Sequence, residues 1–175
     1  MDTPTRQELV VDEPGVLSLG GLRFLIVSPT LLAEIQKGVE DRLGSRASEY
    51  LYAAGSTWAA HECRRLRPLA AEPAALAHLF CQLMTGLGLG RWVVRELQPD
   101  ARMLTLQVER SPLAEAYGTS DQPVCHALAG AVSALGEALL RCPCAAIETH
   151  CKAQGAPACQ FTIRAQEVEG SAWGW

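Results

Sequence analysis

Long apolar runs are missing from this chain of 175 residues. No segment offers the ~20 continuous apolar residues that cross a bilayer, so a membrane span is not expected. The N-terminus, MDTPTRQELVVDEPG, lacks the basic start and apolar stretch of a signal peptide, and a cytoplasmic location is the resulting expectation. Aromatic residues are scarce at 6 %, which predicts a mainly aliphatic core. A run of Lys and Arg is absent too, and the formal charge is -4; phosphate backbones demand a concentrated basic footprint, so nucleic acid is not an expected direct partner. The nearest basic group, Arg64, Arg65 and Arg67, reads as the charge complement of a helix end in preference to an anion site. Internal repeats and low-complexity segments are lacking as well.

What is present suffices for one core. Apolar residues make up 49 % and charged residues 19 %, an ordinary globular balance too rich in Leu, Val and Ile for disorder. A chain of this length buries roughly 70 % of the surface it exposes when unfolded. Residues 1–15 read as a polar arm ending in Glu13-Pro14-Gly15, residues 16–166 as the domain, and residues 167–175 as a short tail whose Trp173 and Trp175 lie at the surface or on a partner.

Within the domain, LSLGGLRFLIVS predicts two strands joined at Gly20-Gly21. Ser28-Pro29 is a helix start; Leu31, Leu32, Ile35, Val39 and Leu43 follow at helical spacing, and Gly44 stops the helix. A second helix is expected over about Ser45–Leu66, with Ala47, Leu51, Ala54, Gly55 and Trp58 as its apolar stripe and small residues allowing close approach. A third runs over roughly Pro73–Gly86, with Leu76, Leu79, Phe80 and Leu83 on one face. The glycines of GLGLG then follow a helix and precede a strand, the reverse of a dinucleotide-binding turn. A hairpin follows, Trp92 to Leu97 and Met103 to Arg110, turned at Pro99-Asp100. Another helix is expected over about Pro123–Arg141 with Asp121 as its cap and Cys125 in its first turn, and CAAIETHC and CQFTIRA make a last hairpin. This order predicts the α+β class, an antiparallel sheet packed against a helical layer.

Seven cysteines, an odd count, stand at positions 63, 81, 125, 142, 144, 151 and 159. In a reducing compartment they are core residues, redox thiols or metal ligands. Cys63 and Cys81, on expected helices, read as core. Cys142-Pro143-Cys144 is too tight for a zinc knuckle and reads as a helix-to-strand corner, a redox or ligand role being the alternative. Glu148, Cys151 and Cys159 crowd the last hairpin, and zinc takes three or four such donors at ~2.0 to 2.3 Å. Cys125 is the best candidate for the remaining donor, because the amides of a helix start favour a thiolate; His126 and His150 compete, each beside a proposed ligand. The resulting spacing is C-x22-E-x2-C-x7-C. Four protein donors would make a closed, structural site. A set of buried, metal-free thiols explains the spacing equally well.

The ending ETHCKAQGAPACQFTI resembles the signature of the 4-vinyl-reductase domain family. The likeness extends upstream through Gly21-Leu22-Arg23-Phe24, Leu43-Gly44, Tyr50 to Gly55, Gly86-Leu87-Gly88 and Pro123-Val124-Cys125, covering about Val16 to Arg164. That family is similar in fold to TRAPP vesicle-tethering subunits and to sensory domains of bacterial activators that detect phenols and other aromatics. The resemblance implies a zinc held by Cys125, Glu148, Cys151 and Cys159, with iron as the alternative metal, beside an apolar pocket. Trp58, Phe80, Trp92, Leu104 and Tyr117 are the candidate pocket walls. It also implies an apolar aromatic or tetrapyrrole ligand. The activators continue into an ATPase and a DNA-binding region, so the expectation here is a signal passed to a separate protein. Three functions follow: a stand-alone ligand-binding or sensory module, a non-enzymatic scaffold working as a homodimer, and a protein assisting vinyl reduction of a tetrapyrrole. The last needs a hydride donor, and the chain carries no nicotinamide or flavin fingerprint, so an enzyme is the least expected of the three.

Overall fold

Alternation of apolar and polar side chains builds the main sheet. In the computed structural model, which describes residues 10–19 and 22–166, strands β4 (Arg91–Gln98), β5 (Met103–Glu109), β6 (Cys144–His150) and β7 (Cys159–Ala165) form an antiparallel sheet in the order β4-β5-β7-β6. Leu104, Leu106 and Val108 of β5 and Cys159, Phe161 and Ile163 of β7 all point inward and are fully buried. Their partners in register, such as Leu106 with Phe161 and Val108 with Cys159, stack along one face. That face is the floor of the core.

The helices lie over it. Helix α5 (His126–Leu140) is buried along nearly its whole length, held between β6 on one side and α2 (Ala47–Leu66) on the other. The approach of these two helices is set by glycine. A Cβ on Gly55 would lie 1.9 Å from the carbonyl oxygen of Ala127, and one on Gly130 would lie 1.9 Å from that of Tyr52, so backbone meets backbone at both points. This contact selects which face of α2 turns inward: Ala47, Gly55, Ala59, Cys63 and Leu66 are buried. Ala54 and Trp58 of the expected stripe are exposed instead, since an indole cannot enter a seam that closes to backbone contact.

Helix α3 (Pro73–Gly86) lies against β4 and inserts Leu76, Phe80 and Met84 into the core. The short helix α4 (Pro112–Tyr117) follows β5 and starts at a Ser-Pro pair: Ser111 Oγ accepts the Ala114 N–H at 3.4 Å, with Pro112 at the first helical position. The same device starts α1 (Pro29–Leu43), where Ser28 Oγ accepts the Leu31 N–H at 3.2 Å.

Helix α1 forms over the expected residues but presents a different face. Ala33 and Gln36 are buried, whereas Leu31, Leu32, Ile35 and Leu43 are exposed, Ile35 at 54 %. Polar anchors set this orientation: Gln36 Nε2 donates to the Val124 carbonyl at 2.9 Å, and Tyr117 Oη donates to Glu40 Oε2 at 2.6 Å. Before α1, strands β1 (Val10–Glu13), β2 (Val16–Leu19) and β3 (Leu22–Phe24) form a separate antiparallel meander, so pairing begins inside the segment expected to be an arm. The Gly20-Gly21 turn, Trp173 and Trp175 lie outside the described residues. None of the described helices is long and apolar enough to cross a membrane.

Candidate metal centre and adjoining cavity

Three separate stretches of chain meet beneath the start of α5. Cys125 occupies the position just before the helix, with φ -87° and ψ 43°, and its carbonyl accepts the Ala129 N–H at 2.9 Å. It is therefore the N-cap itself, one residue outside the first turn where the sequence placed it, and Asp121 plays no part in the cap. Glu148 comes from the inward face of β6, behind Cys144 and Ala146. A bulge between Glu148 and His150 leaves Thr149 and His150 facing solvent. The extra residue brings Cys151 back to the side of Glu148. Cys159 opens β7, across the turn that contains Lys152–Gln154 and Gly155.

The result is one cluster. Donor atoms of Cys125, Glu148, Cys151 and Cys159 all lie within 4.8 Å of one another, and all four residues are buried, Glu148 being the most exposed at 9 %. Cys125 Sγ and Cys159 Sγ are 3.6 Å apart; two sulfurs bound at ~2.3 Å to one tetrahedral ion would be separated by ~3.8 Å. Glu148 Oε2 accepts the Cys125 backbone N–H at 2.9 Å, while Glu148 Oε1 is buried with no hydrogen-bond partner. An orphaned carboxylate oxygen is costly in a dry interior, and a cation beside it removes the cost. The Lys152 N–H points at Cys159 Sγ from 3.4 Å, as an amide does toward a thiolate. The set can hold a metal ion.

The protonation pattern is that of a site short of positive charge. Burial, reinforced by a hydrogen bond and charge from Cys151, lifts the Glu148 carboxyl to about 7. Hydrogen bonds from Cys125 and then Cys159 hold Cys151 far below the usual thiol range, so it takes the thiolate. Hydrogen bonds to Cys151 and Cys159, with burial, hold Cys125 well above that range, reversing what a helix N-terminus alone would do. Cys159 is drawn down by Cys125 and pushed up by Cys151 and burial, ending at about 12. His126 and His150 stay outside the cluster. His126 is half-buried, its pKa lowered by burial, and His150 is exposed, 3.3 Å from Thr149 Oγ1.

The other cysteines are elsewhere in the fold. Cys63 and Cys81 are core thiols that burial pushes up to about 12 and about 11. Cys142 and Cys144 form the corner between α5 and β6, where Cys144 Sγ donates to the Cys142 carbonyl at 3.3 Å.

A cavity of about 700 Å³ adjoins the cluster, with Glu148 in its wall. It opens between α1, the start of α2, the end of α4, the start of α5 and β6. Of the five candidate walls, Tyr117 lines it. Phe80 and Trp92 pack edge-to-face, ring centres 5.9 Å apart, and close the core between α3 and β4 with Leu104, so none of the three reaches the cavity. Trp58 lies on the outer face of α2, 39 % exposed. Sequence reasoning missed Glu40, Tyr52 and Val124, which do line it. Their signal is the set of long-range bonds, Tyr117 to Glu40 and the Ala146 N–H to Tyr52 Oη at 3.0 Å, and no spacing in the chain announces these.

Comparison with known proteins decides the kinship of this last part of the chain. Residues 104–165 match the vinyl-4-reductase domain family. The matched segment runs from β5 to the end of β7 and contains all four donors of the cluster. No curated protein matches the chain in sequence. Among solved structures, the chain is similar to the phenol-responsive sensory domain of the transcription activator PoxR with phenol, at a TM-score of 0.77 and 18 % identity, covering 89 % of this chain and 83 % of that one. It is also similar to a vinyl-4-reductase family protein from Methanocaldococcus jannaschii (TM-score 0.56, 14 % identity, 82 % and 85 % covered). A third similar structure is trafficking protein particle complex subunit 3 from Naegleria fowleri, covalently bound to palmitic acid (TM-score 0.58, 11 % identity, 79 % and 95 % covered). The vinyl-4-reductase segment therefore sits in the α+β fold shared with a sensory domain and a trafficking-complex subunit.

Proposed function

We propose that this chain is a ligand-binding sensory module in which a structural zinc ion, held by Cys125, Glu148, Cys151 and Cys159, stiffens one wall of a small-molecule cavity. The observation that carries the reading is the position of Glu148, which belongs both to the four-donor cluster and to the cavity wall. Zinc suits the donor set, since thiolates and one carboxylate in tetrahedral range are its usual structural ligands and leave no open position for water. The metal would tie the last hairpin to the N-cap of α5. A ligand in the cavity touches both and also α1, so its binding can change how α1 is held. The exposed face of α1 is the natural place for a separate signalling protein to read that change. Similarity to a phenol-responsive domain supports the sensory class, and the cavity's volume falls within the ~300 to 1,000 Å³ of small-molecule sites.

A second reading, a dimeric scaffold, is favoured by one observation. Leu25, Ile26, Leu31 and Ile35 are each more than half exposed along β3's exit and α1, and apolar surface of that kind marks contact faces. The two readings are compatible if the dimer carries the cavity.

The deciding experiment is amide NMR of the zinc-loaded protein titrated with aromatic and tetrapyrrole compounds. Saturable shifts at Tyr52, Tyr117, Val124 and Ile147, blocked by Ser48→Trp, are expected. Shifts confined to the face of α1, or none, would leave the scaffold in front.

A further inference from the structure

Resting on the cavity being the ligand site, we propose that it selects a cation: a protonated organic amine with an apolar or aromatic body. The charged groups on its walls carry the argument. Glu40 lines one side and Glu148 the other, and neither Lys nor Arg is among the lining residues. Glu40 takes neutral donors only, the Tyr117 hydroxyl at 2.6 Å and Gln36 Nε2 at 2.8 Å, and enters none of the ion pairs among the described residues. Its charge is thus held in place and left uncompensated. On the opposite wall, three thiolates and a carboxylate stay net negative even around a divalent ion.

Two further features fit an ammonium group. Lys37 Nζ already lies over the Tyr117 ring, 5.0 Å from its centre, showing that this ring presents its face to a cation. Tyr117 is also pushed up to about 12, first by its hydrogen bond to Glu40, then by burial and the charges of Glu40 and Asp41, which reports a negative potential at the cavity mouth. Apolar surface for the ligand's body comes from Ala47, Val124, Ala129, Ala146 and Ile147. The starts of α2 and α5 also face the cavity, each worth roughly half a positive charge, but the α5 end already meets a carboxylate through the Cys125 N–H. The balance is negative.

The test uses a matched pair of probes, 2-phenylethylamine and its neutral isostere 2-phenylethanol, titrated by NMR into zinc-loaded protein at low and moderate salt. The amine is expected to bind about tenfold more tightly, as a charge-assisted contact requires, with the advantage shrinking as salt rises. Glu40→Gln should remove that advantage and leave the alcohol unchanged. Tyr117→Phe, which keeps the ring and the carboxylate, should retain it. Ser48→Trp should block both probes. Equal binding of amine and alcohol, or an advantage untouched by Glu40→Gln, would overturn the charge selection while leaving the cavity as the ligand site. Binding of both probes that ignores Ser48→Trp would overturn the cavity and the selection together, as would no binding of either.

Discussion

The backbone N–H of Cys125 donates to Glu148 Oε2 at 2.9 Å, joining the cap of α5 to the inward face of β6 across 23 residues of sequence. This bond orients the carboxylate so that its other oxygen is buried with no partner of its own. The cluster and the helix start are therefore one structural unit.

Metal binding should release protons. At pH 7, two of the thiols are held protonated and Glu148, at about 7, is partly so, whereas a metal takes thiolate and carboxylate. Calorimetric titration of metal-free protein with zinc in buffers of different ionisation enthalpy should report uptake of about two protons by the buffer per ion. Affinity should rise as pH rises from 6 to 8. A heat independent of the buffer would mean the donors are already ionised.

In the metal-free protein, Glu148 opposes folding as it ionises. Its folded pKa is raised from 4.5 to about 7, so its favourable contribution is complete below 4.5 and is lost as pH climbs through 7, amounting to about 3 kcal/mol. Denaturant unfolding with a chelator present should show Glu148→Gln gaining stability relative to the parent between pH 5 and pH 8. Zinc should reverse the ranking at pH 8, because the variant lacks the charged ligand.

The seam between α2 and α5 should tolerate no added methyl. At Gly55 and at Gly130 the clashing atom is a backbone carbonyl oxygen, which cannot rotate away, so Gly55→Ala and Gly130→Ala should each cost about 3 kcal/mol or more. Gly38, with open space around its Cβ position, is the control, and its replacement by Ala inside α1 should stabilise by up to about 1 kcal/mol. Thermal melts of the three variants make the comparison.

Exposed apolar side chains on α1 predict self-association. Sedimentation of the parent chain at micromolar concentration should show a dimer, and Leu31→Glu with Ile35→Lys should shift it to monomer with little change in the unfolding midpoint, since both residues are more than half exposed. A parent that stays monomeric would assign this face to a different protein.

Much of this architecture was legible in the chain. Ser28-Pro29 marked the start of α1, Pro73 and Gly86 bounded α3, and the spacing from Cys125 to Cys159 brought four donors to one point. Local rules carried those readings, because caps and hairpins are decided by neighbouring residues. The faces of α1 and α2 were not legible. Both helices show an apolar stripe, yet Ile35 and Trp58 are exposed, because a glycine contact with Ala127 and a Gln36 bond to the Val124 carbonyl choose the inward side. Those choices depend on partners far along the chain. The cavity walls failed to show for the same reason: large apolar residues such as Phe80 and Leu104 were claimed by the core, and the space opened where polar side chains hold the helices apart.

The most direct test of the metal centre is elemental analysis of protein purified without added metal, run beside Cys151→Ser. About one zinc per chain in the parent and its loss in the variant is the predicted result. Iron in place of zinc would keep the site and change its ion. No metal in either protein would contradict the account, leaving Cys125, Cys151 and Cys159 as buried thiols and Glu148 as an unexplained buried acid.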